Sequence, residues 1–321
     1  MLPAGDVSIE VSMVLQRVVV GVDFSAPSEA AARWAAQDLA PEAELVLVHA
    51  VDVPEPPSFL RNRFPPRDTL AGTARTGADR SLRDLSASLG ARRIWLEVRE
   101  GRADEMIAAV AGEYRADLVV TGAHGERGGV FKQLGSTAER VARAAPAPVL
   151  LAREPLPATG ATVLVAMDDD GLTPGLQHWT MFLAARFDAA VTGLHVVSDT
   201  MLGRLVTLAA MVAGTPEPPA LGVGAVEDAN VWMRELVAKG LDRERTSGEV
   251  AYGDPAHEIL AAAKRMSANV IVLGRHRAGG IRHQLLGSVA DRVLRDAACS
   301  VLVVTEPASV AAAVDEERPA A

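Results

Sequence analysis

Asp117-Leu118-Val119-Val120-Thr121-Gly122-Ala123-His124-Gly125, then nine residues, then Gly135-Ser136-Thr137-Ala138-Glu139-Arg140-Val141-Ala142-Arg143-Ala144 carries the pattern from which the architecture can be built. The first segment reads as a buried strand, because branched apolar residues run without alternation and stop at glycine. The second reads as a helix with Ser136 at its N-cap. A strand feeding a helix through a glycine turn is the unit of a parallel α/β sheet. The same turn has the chemistry of an anion cradle. Glycine removes the Cβ between backbone and ligand, and the free N–H groups of a helix start favour negative charge.

Around this segment the chain is written twice, over residues 15–153 and 161–305. Each copy opens with an apolar strand ending in aspartate, Val18 to Asp23 and Val163 to Asp168. An alanine-rich helix follows, then a second strand with histidine in the same place, Leu45 to Ala50 with His49 and Val191 to Val196 with His195. The offset between copies is 145 residues at the aspartates and 146 at the histidines. It is 152 residues at Gly101 and Gly253, and stays there for Gly122 and Gly274, for Gly135 and Gly287, and for the last strands, Val149 to Leu151 and Val301 to Val303. The extra residues fall between second and third strands. That connection carries Pro54, Pro56, Pro57, Pro65 and Pro66 in the first copy, and an apolar run near Leu205 before Pro216, Pro218 and Pro219 in the second.

Continuous apolar strands alternating with helices predict a parallel sheet covered on both faces, wound by right-handed crossovers. The expected fold is two tandem doubly wound five-stranded domains of Rossmann-like type, at 14–153 and 161–305, with weakly held tails at 1–13 and 306–321. In such sheets ligands bind beyond the carboxyl ends of the strands. Asp23, Ala50 and Gly122 all lie at such ends.

Composition bounds the function. At 321 residues the chain has room for two domains. It is 49% hydrophobic and 4% aromatic, so its core is built from Ala, Val and Leu. A net charge of −9 argues against a broad footprint on nucleic acid or anionic lipid, so any anion site is local. The single cysteine, Cys299, allows no intrachain disulfide and reads as a small core residue. The first residues lack a secretory pattern, and the apolar run Leu205 to Gly214 is about half of the ~20 residues that a membrane span needs. A cytoplasmic protein is expected.

With Asp23, His49-Ala50, Gly122-x-x-Gly125 and Gly135-Ser136-Thr137 in place, the chain resembles the universal stress protein family in its tandem form, over nearly its whole length. The resemblance implies an adenine nucleotide alpha hydrolase-like fold and bound ATP, with or without Mg²⁺. In the first copy it implies contacts from Gly21, Asp23 and Ala50 to the adenosine part. It implies approach of Thr121, Gly122, His124 and Gly125 to ribose and phosphates, and donors from Gly135, Ser136 and Thr137. In the second copy the corresponding positions are Ala166, Asp168, Val196, Gly274, His276, Arg277, Gly287, Ser288 and Val289. Arg277 stands where the pattern asks for glycine, so two unequal sites are expected. The resemblance also implies pairing of the last strands of the two copies within the chain, and a homodimer of chains.

Other readings of these residues stay open. Asp23 could cap the following helix, and Ser28 is an equally good cap. His49 and His195 fit satisfied core histidines in apolar strands. Asp168-Asp169-Asp170 reads as a solvated turn, since no second acidic cluster follows at metal-loop spacing. Arg275, His276, Arg277, Arg282 and His283 form the most basic loop of the chain. The sequence has no Walker-type Gly-Lys-Ser/Thr loop and no Gly-x-Ser-x-Gly elbow, so a regulator with little or no hydrolysis is the first expectation. A nucleotide-free interaction scaffold and a slow ATPase are the alternatives.

Overall fold

The computed structural model describes residues 14–90, 93–124, 134–167, 172–198, 230–231, 233–235, 237–238, 241–275 and 286–305. In chain order the elements are β1 (Arg17–Gly21), α1 (Ala26–Trp34), β2 (Glu44–Val51), α2 (Arg67–Leu89), β3 (Ile94–Glu100), α3 (Ala103–Glu113), β4 (Leu118–Gly122), α4 (Ser136–Ala144) and β5 (Val149–Ala152). They continue with β6 (Thr162–Met167), α5 (Pro174–Phe187), β7 (Ala190–Val197), β8 (Thr246–Tyr252), α6 (Pro255–Arg265), β9 (Val270–Gly274), α7 (Ser288–Asp296) and β10 (Ser300–Val304). They fall into two compact units, one made of Val14–Pro155 with Arg275–Thr305, the other of Leu156–Gly274.

In the first unit the strand order is β3-β2-β1-β4-β5-β10. Adjacent strands from β3 to β5 are parallel, with registers such as Gly21↔Val48 and Gly21↔Thr121. The chain winds outward from β1 to β3 and returns to β4 on the other side of β1, so the winding reverses between β1 and β4. Val18 to Val20, Leu45 to Val48 and Leu118 to Val120 are buried throughout, which explains their unalternating sequence: helices cover both faces. β10 adds antiparallel to β5, with Val301↔Leu151, Leu302↔Leu150 and Val303↔Val149. The pairing expected between the last strands is therefore present.

Side chains lock this addition. Arg153, just past β5, donates from Nη2 to Leu294 O at 2.9 Å, at the end of α7, and its own N–H donates to Ser300 Oγ at 3.1 Å. Arg275 donates from Nη2 to Ala142 O at 2.8 Å and to Ala145 O at 3.2 Å, at the end of α4. Cations at helix carbonyl ends complement both the orphan acceptors and the dipole. Arg275 is 7% exposed, and burial pushes its guanidinium down to about 10. On the helices themselves, Arg143 pairs with Glu139 and Asp291, and Arg295 with Asp291 and Glu139. One expectation is corrected here. Cys299 is half-buried rather than a core residue, with β10 starting one residue later. Arg275, the first residue of the most basic loop in the sequence, is itself buried against the end of α4.

In the second unit the order is β9-β6-β7-β8, all parallel. Gly193 and Gly248 face each other across β7 and β8. A Cβ on Gly248 would overlap the backbone of Met233 and Arg234, and one on Gly193 would overlap Val237. Their counterparts in the first unit are Leu47 and Leu96, paired in the same way.

Candidate functional site

The winding reverses between β1 and β4, and the carboxyl edge at such a reversal is where doubly wound sheets bind ligands. Residues from three strand ends meet there. β1 ends at Gly21, and Val22 N donates to Val48 O at 2.8 Å, holding the β1 end against β2. His49 Nδ1 lies 2.8 Å from Val22 O and donates to it. His195 repeats the bond to Met167 O at 3.3 Å in the second unit. Both histidines are thus tied to the end of the adjacent strand, as their apolar setting suggested.

Asp23 is exposed, and its Oδ1 accepts from Ser25 N at 3.0 Å and from Ser25 Oγ at 2.5 Å. The cap of α1 is Ser25, whose Oγ accepts from Ser28 N at 3.4 Å. Ser28 instead receives the Asp23 N–H at 3.3 Å. Asp23 therefore orients the cap and is not the cap. Between them Phe24 sits at φ 63°, in the left-handed region, with its ring 4.5 Å from that of His49. A non-glycine residue held there is uncommon and marks a turn fixed by its surroundings.

β4 ends at Gly122. A Cβ there would stand 3.1 Å from Ser28 N and 3.2 Å from Pro27 C, so this glycine lets the start of α1 close on β4. Ala123 N donates to Ala152 O at 2.9 Å, and Gly135 N donates back to Ala123 O at 2.8 Å. The loop thus leaves and returns at one point, setting the start of α4 at the end of β4. The cap of α4 is Gly135, with extended backbone and no capping side chain. That corrects the reading of Ser136 as N-cap: it is the first helical residue, and exposed. Thr137 and His124 are half-buried. Thr121 is 5% exposed, and its hydroxyl has no hydrogen-bond partner among the described residues.

One turn further along α4, Arg140 meets Asp104 of α3, which sequence reading had passed over. Asp104 is buried, with Arg140 Nε 3.0 Å from its Oδ1 and Arg102 Nη2 3.0 Å from its Oδ2. Burial pushes its carboxyl up, but the two guanidinium groups outweigh that and hold it below the usual aspartate range. The signal was in the copies: the second carries Ala256 where the first has Asp104, while Arg140 recurs as Arg292.

In the second unit Ala166 and Val196 are buried near the ends of β6 and β7, and Gly274 closes β9, where an added Cβ would touch Leu176 Cδ1 at 3.7 Å. In the first unit Gly287 caps α7 with no capping side chain, Ser288 is exposed and Val289 half-buried. Gly125, Asp168, Asp169, Asp170, His276, Arg277, Arg282 and His283 lie outside the described residues, as does the apolar run near Leu205. Among the described residues no group of three or more His, Cys, Asp or Glu side chains could hold a metal ion. None of the described helices is long and apolar enough to cross a membrane.

An α/β sheet wound twice in one chain, with a glycine loop after the fourth strand of each winding, defines the class. The sequence profile of the universal stress protein family matches residues 15–153 and 161–305, and the chain belongs to that family. It is similar to universal stress protein Rv2005c of Mycobacterium tuberculosis, 28% identical over 313 residues, covering 90% of this chain and 97% of that one. A shorter match joins it to universal stress protein MJ0531 of Methanocaldococcus jannaschii, 46% identical over 59 residues, 18% of this chain and 35% of that one. Among solved structures, the functionally unknown protein PA1789 of Pseudomonas aeruginosa superposes with a TM-score of 0.60 at 18% identity, covering 94% of this chain and 96% of that one. A universal stress protein of Archaeoglobus fulgidus gives 0.58 at 17% identity, covering 91% and 98%. These two likenesses concern the fold.

Proposed function

We propose that the first repeat binds an adenine nucleotide, ATP with or without Mg²⁺, and that the chain acts as a nucleotide-dependent regulator with little or no hydrolysis. The observation that carries the reading is the bond from Gly135 N to Ala123 O, 2.8 Å, which sets an uncapped helix start beside β4 at the reversal of the sheet. The N–H groups of that first turn suit phosphate oxygens. The residues present fit the group. Thr121 keeps a buried hydroxyl without a partner among the described residues, Ser136 and Thr137 bring hydroxyl donors, and the exposed Asp23 carboxylate has acceptor capacity for a ribose hydroxyl or an exocyclic amine. Each of these groups binds and orients, and none is a nucleophile set beside a base. The second repeat is the weaker binder in this reading, because Arg277 replaces the second glycine of its loop. A homodimer of chains in the cytoplasm belongs to the same reading, and light scattering checks the assembly.

Mass spectrometry of nucleotide extracted from the purified protein, with titration against melting temperature, tests the proposal. At a hundredfold excess over Kd, binding adds about 2.7 kcal/mol of stability. Ser136→Glu is the informative variant. An acid in the first turn suits the helix dipole, so the ligand-free melting temperature holds, while its charge repels phosphate and removes the ligand-induced rise. If ATP neither copurifies nor raises the wild-type melting temperature, the nucleotide reading fails and an interaction scaffold replaces it. ADP release that Ser136→Glu abolishes would make the protein a slow ATPase.

A further inference from the structure

Arg140 follows Ser136 by four residues and so lies on the same face of α4, one turn on. About 6 Å of rise separates their Cα atoms, and long helical side chains lean back toward the helix start. The guanidinium is therefore carried toward the turn whose N–H groups are open. In this structure it rests on Asp104, in the first turn of α3, whose other oxygen is held by Arg102 at 3.0 Å. The carboxylate sits between two guanidinium groups, where a phosphate oxygen would be equally well received.

The two contacts on Asp104 are unequal. Arg102 makes an aligned hydrogen bond. Arg140 Nε comes within 3.0 Å of Oδ1, yet neither atom has hydrogen-bond geometry with any described group. Both guanidinium groups reach solvent, with side chains 54% exposed at Arg102 and 43% at Arg140, and departure of Arg140 leaves Asp104 still paired to Arg102 through the aligned bond.

We propose that Arg140 reads the phosphates beyond the first of a nucleotide bound at the start of α4, leaving Asp104 to do so, and thereby sets the preference for a nucleoside triphosphate over a monophosphate. The inference rests on the nucleotide reading above. The exchange between carboxylate and phosphate belongs to the first repeat, because the second keeps the arginine as Arg292 but has Ala256 in place of Asp104 and Asp254 in place of Arg102.

Calorimetric titration of the full chain with AMP and with ATP, in a Ser288→Glu background that removes the second loop from the titration, tests it. Arg140→Gln lowers ATP affinity about tenfold and leaves AMP affinity unchanged, the loss of one charge-assisted contact to phosphate. Asp104→Asn moves the other way and raises ATP affinity, since the competing carboxylate charge is gone. The double variant, which leaves no buried charge uncompensated, behaves like Arg140→Gln and guards against a folding artefact. An ATP-to-AMP affinity ratio unchanged in both single variants overturns the assignment while leaving nucleotide binding intact. So does Asp104→Asn shifting the ratio in the same direction as Arg140→Gln. Absence of binding by the parent chain overturns both.

Discussion

At Gly122 a methyl group would stand 3.1 Å from the backbone nitrogen of Ser28, and backbone yields less readily than the tip of a side chain. Gly122→Ala should therefore cost about 1–3 kcal/mol in denaturant unfolding, with no ligand present. A loss near zero would show that α1 can retreat. The sequence alone suggested that this glycine admits a ligand, and α1 gives it a second reason to exist that no spacing could reveal. Ser136 was misplaced by one position because serine is common both as cap and in the first turn. Only the extended backbone of Gly135 separates the two. Asp104 carries a pH prediction. Its carboxyl is held below its ordinary value in the folded chain, so its contribution is fully present above about pH 4 and is lost as pH falls through the lowered folded-state value. Asp104→Asn should flatten the acid limb of a stability-against-pH curve and leave the neutral slope alone.

Among the elements, the strands were the most legible, since runs such as Val18 to Val20 and Leu118 to Val120 admit little besides a covered parallel sheet. Helix-to-sheet spacing was not legible. Gly193 and Gly248 form a facing pair whose missing side chains allow the helical residues Met233, Arg234 and Val237 onto the sheet, which no single strand reveals. In the first unit the equivalent pair is Leu47 and Leu96, so a helix there must stand further off. Gly248→Ala should be among the most damaging small substitutions in the second unit, at about 3 kcal/mol or more, because it strikes backbone. Thermal unfolding of that variant, compared with Gly160→Ala in a site with nothing within 4 Å of the added carbon, separates the steric cost from a general loss of glycine. Gly160 itself has φ 71°, so its own modest cost calibrates conformational strain.

For the molecule as a whole, repeat and compact unit are out of phase. The repeat boundary lies between residues 153 and 161, but the first unit takes in Arg275–Thr305 from the second copy. The pairing of the last strands was foreseeable only from the family resemblance, with the constant 152-residue offset marking which strands those are. Arg153 and Arg275, which pin it through helix-end carbonyls, were hidden because a basic residue after a strand looks like any surface charge. A fragment of residues 14–155 lacks the strand that covers β5, and an open apolar edge seeks another strand. Size-exclusion chromatography with light scattering should find that fragment self-associated. A monomeric parent fragment would mean that β5 tolerates an open edge.

The antiparallel seat of β10 on β5 also sets an order of events during synthesis. β5 is complete at Ala152, while its partner strand ends at Val304. At translation rates of about 5–20 residues per second, the nascent first unit waits roughly 8 to 30 s with that edge uncovered. The gap is a window in which a chaperone or a neighbouring nascent chain on the same polysome can reach β5 before the chain's own last strand arrives.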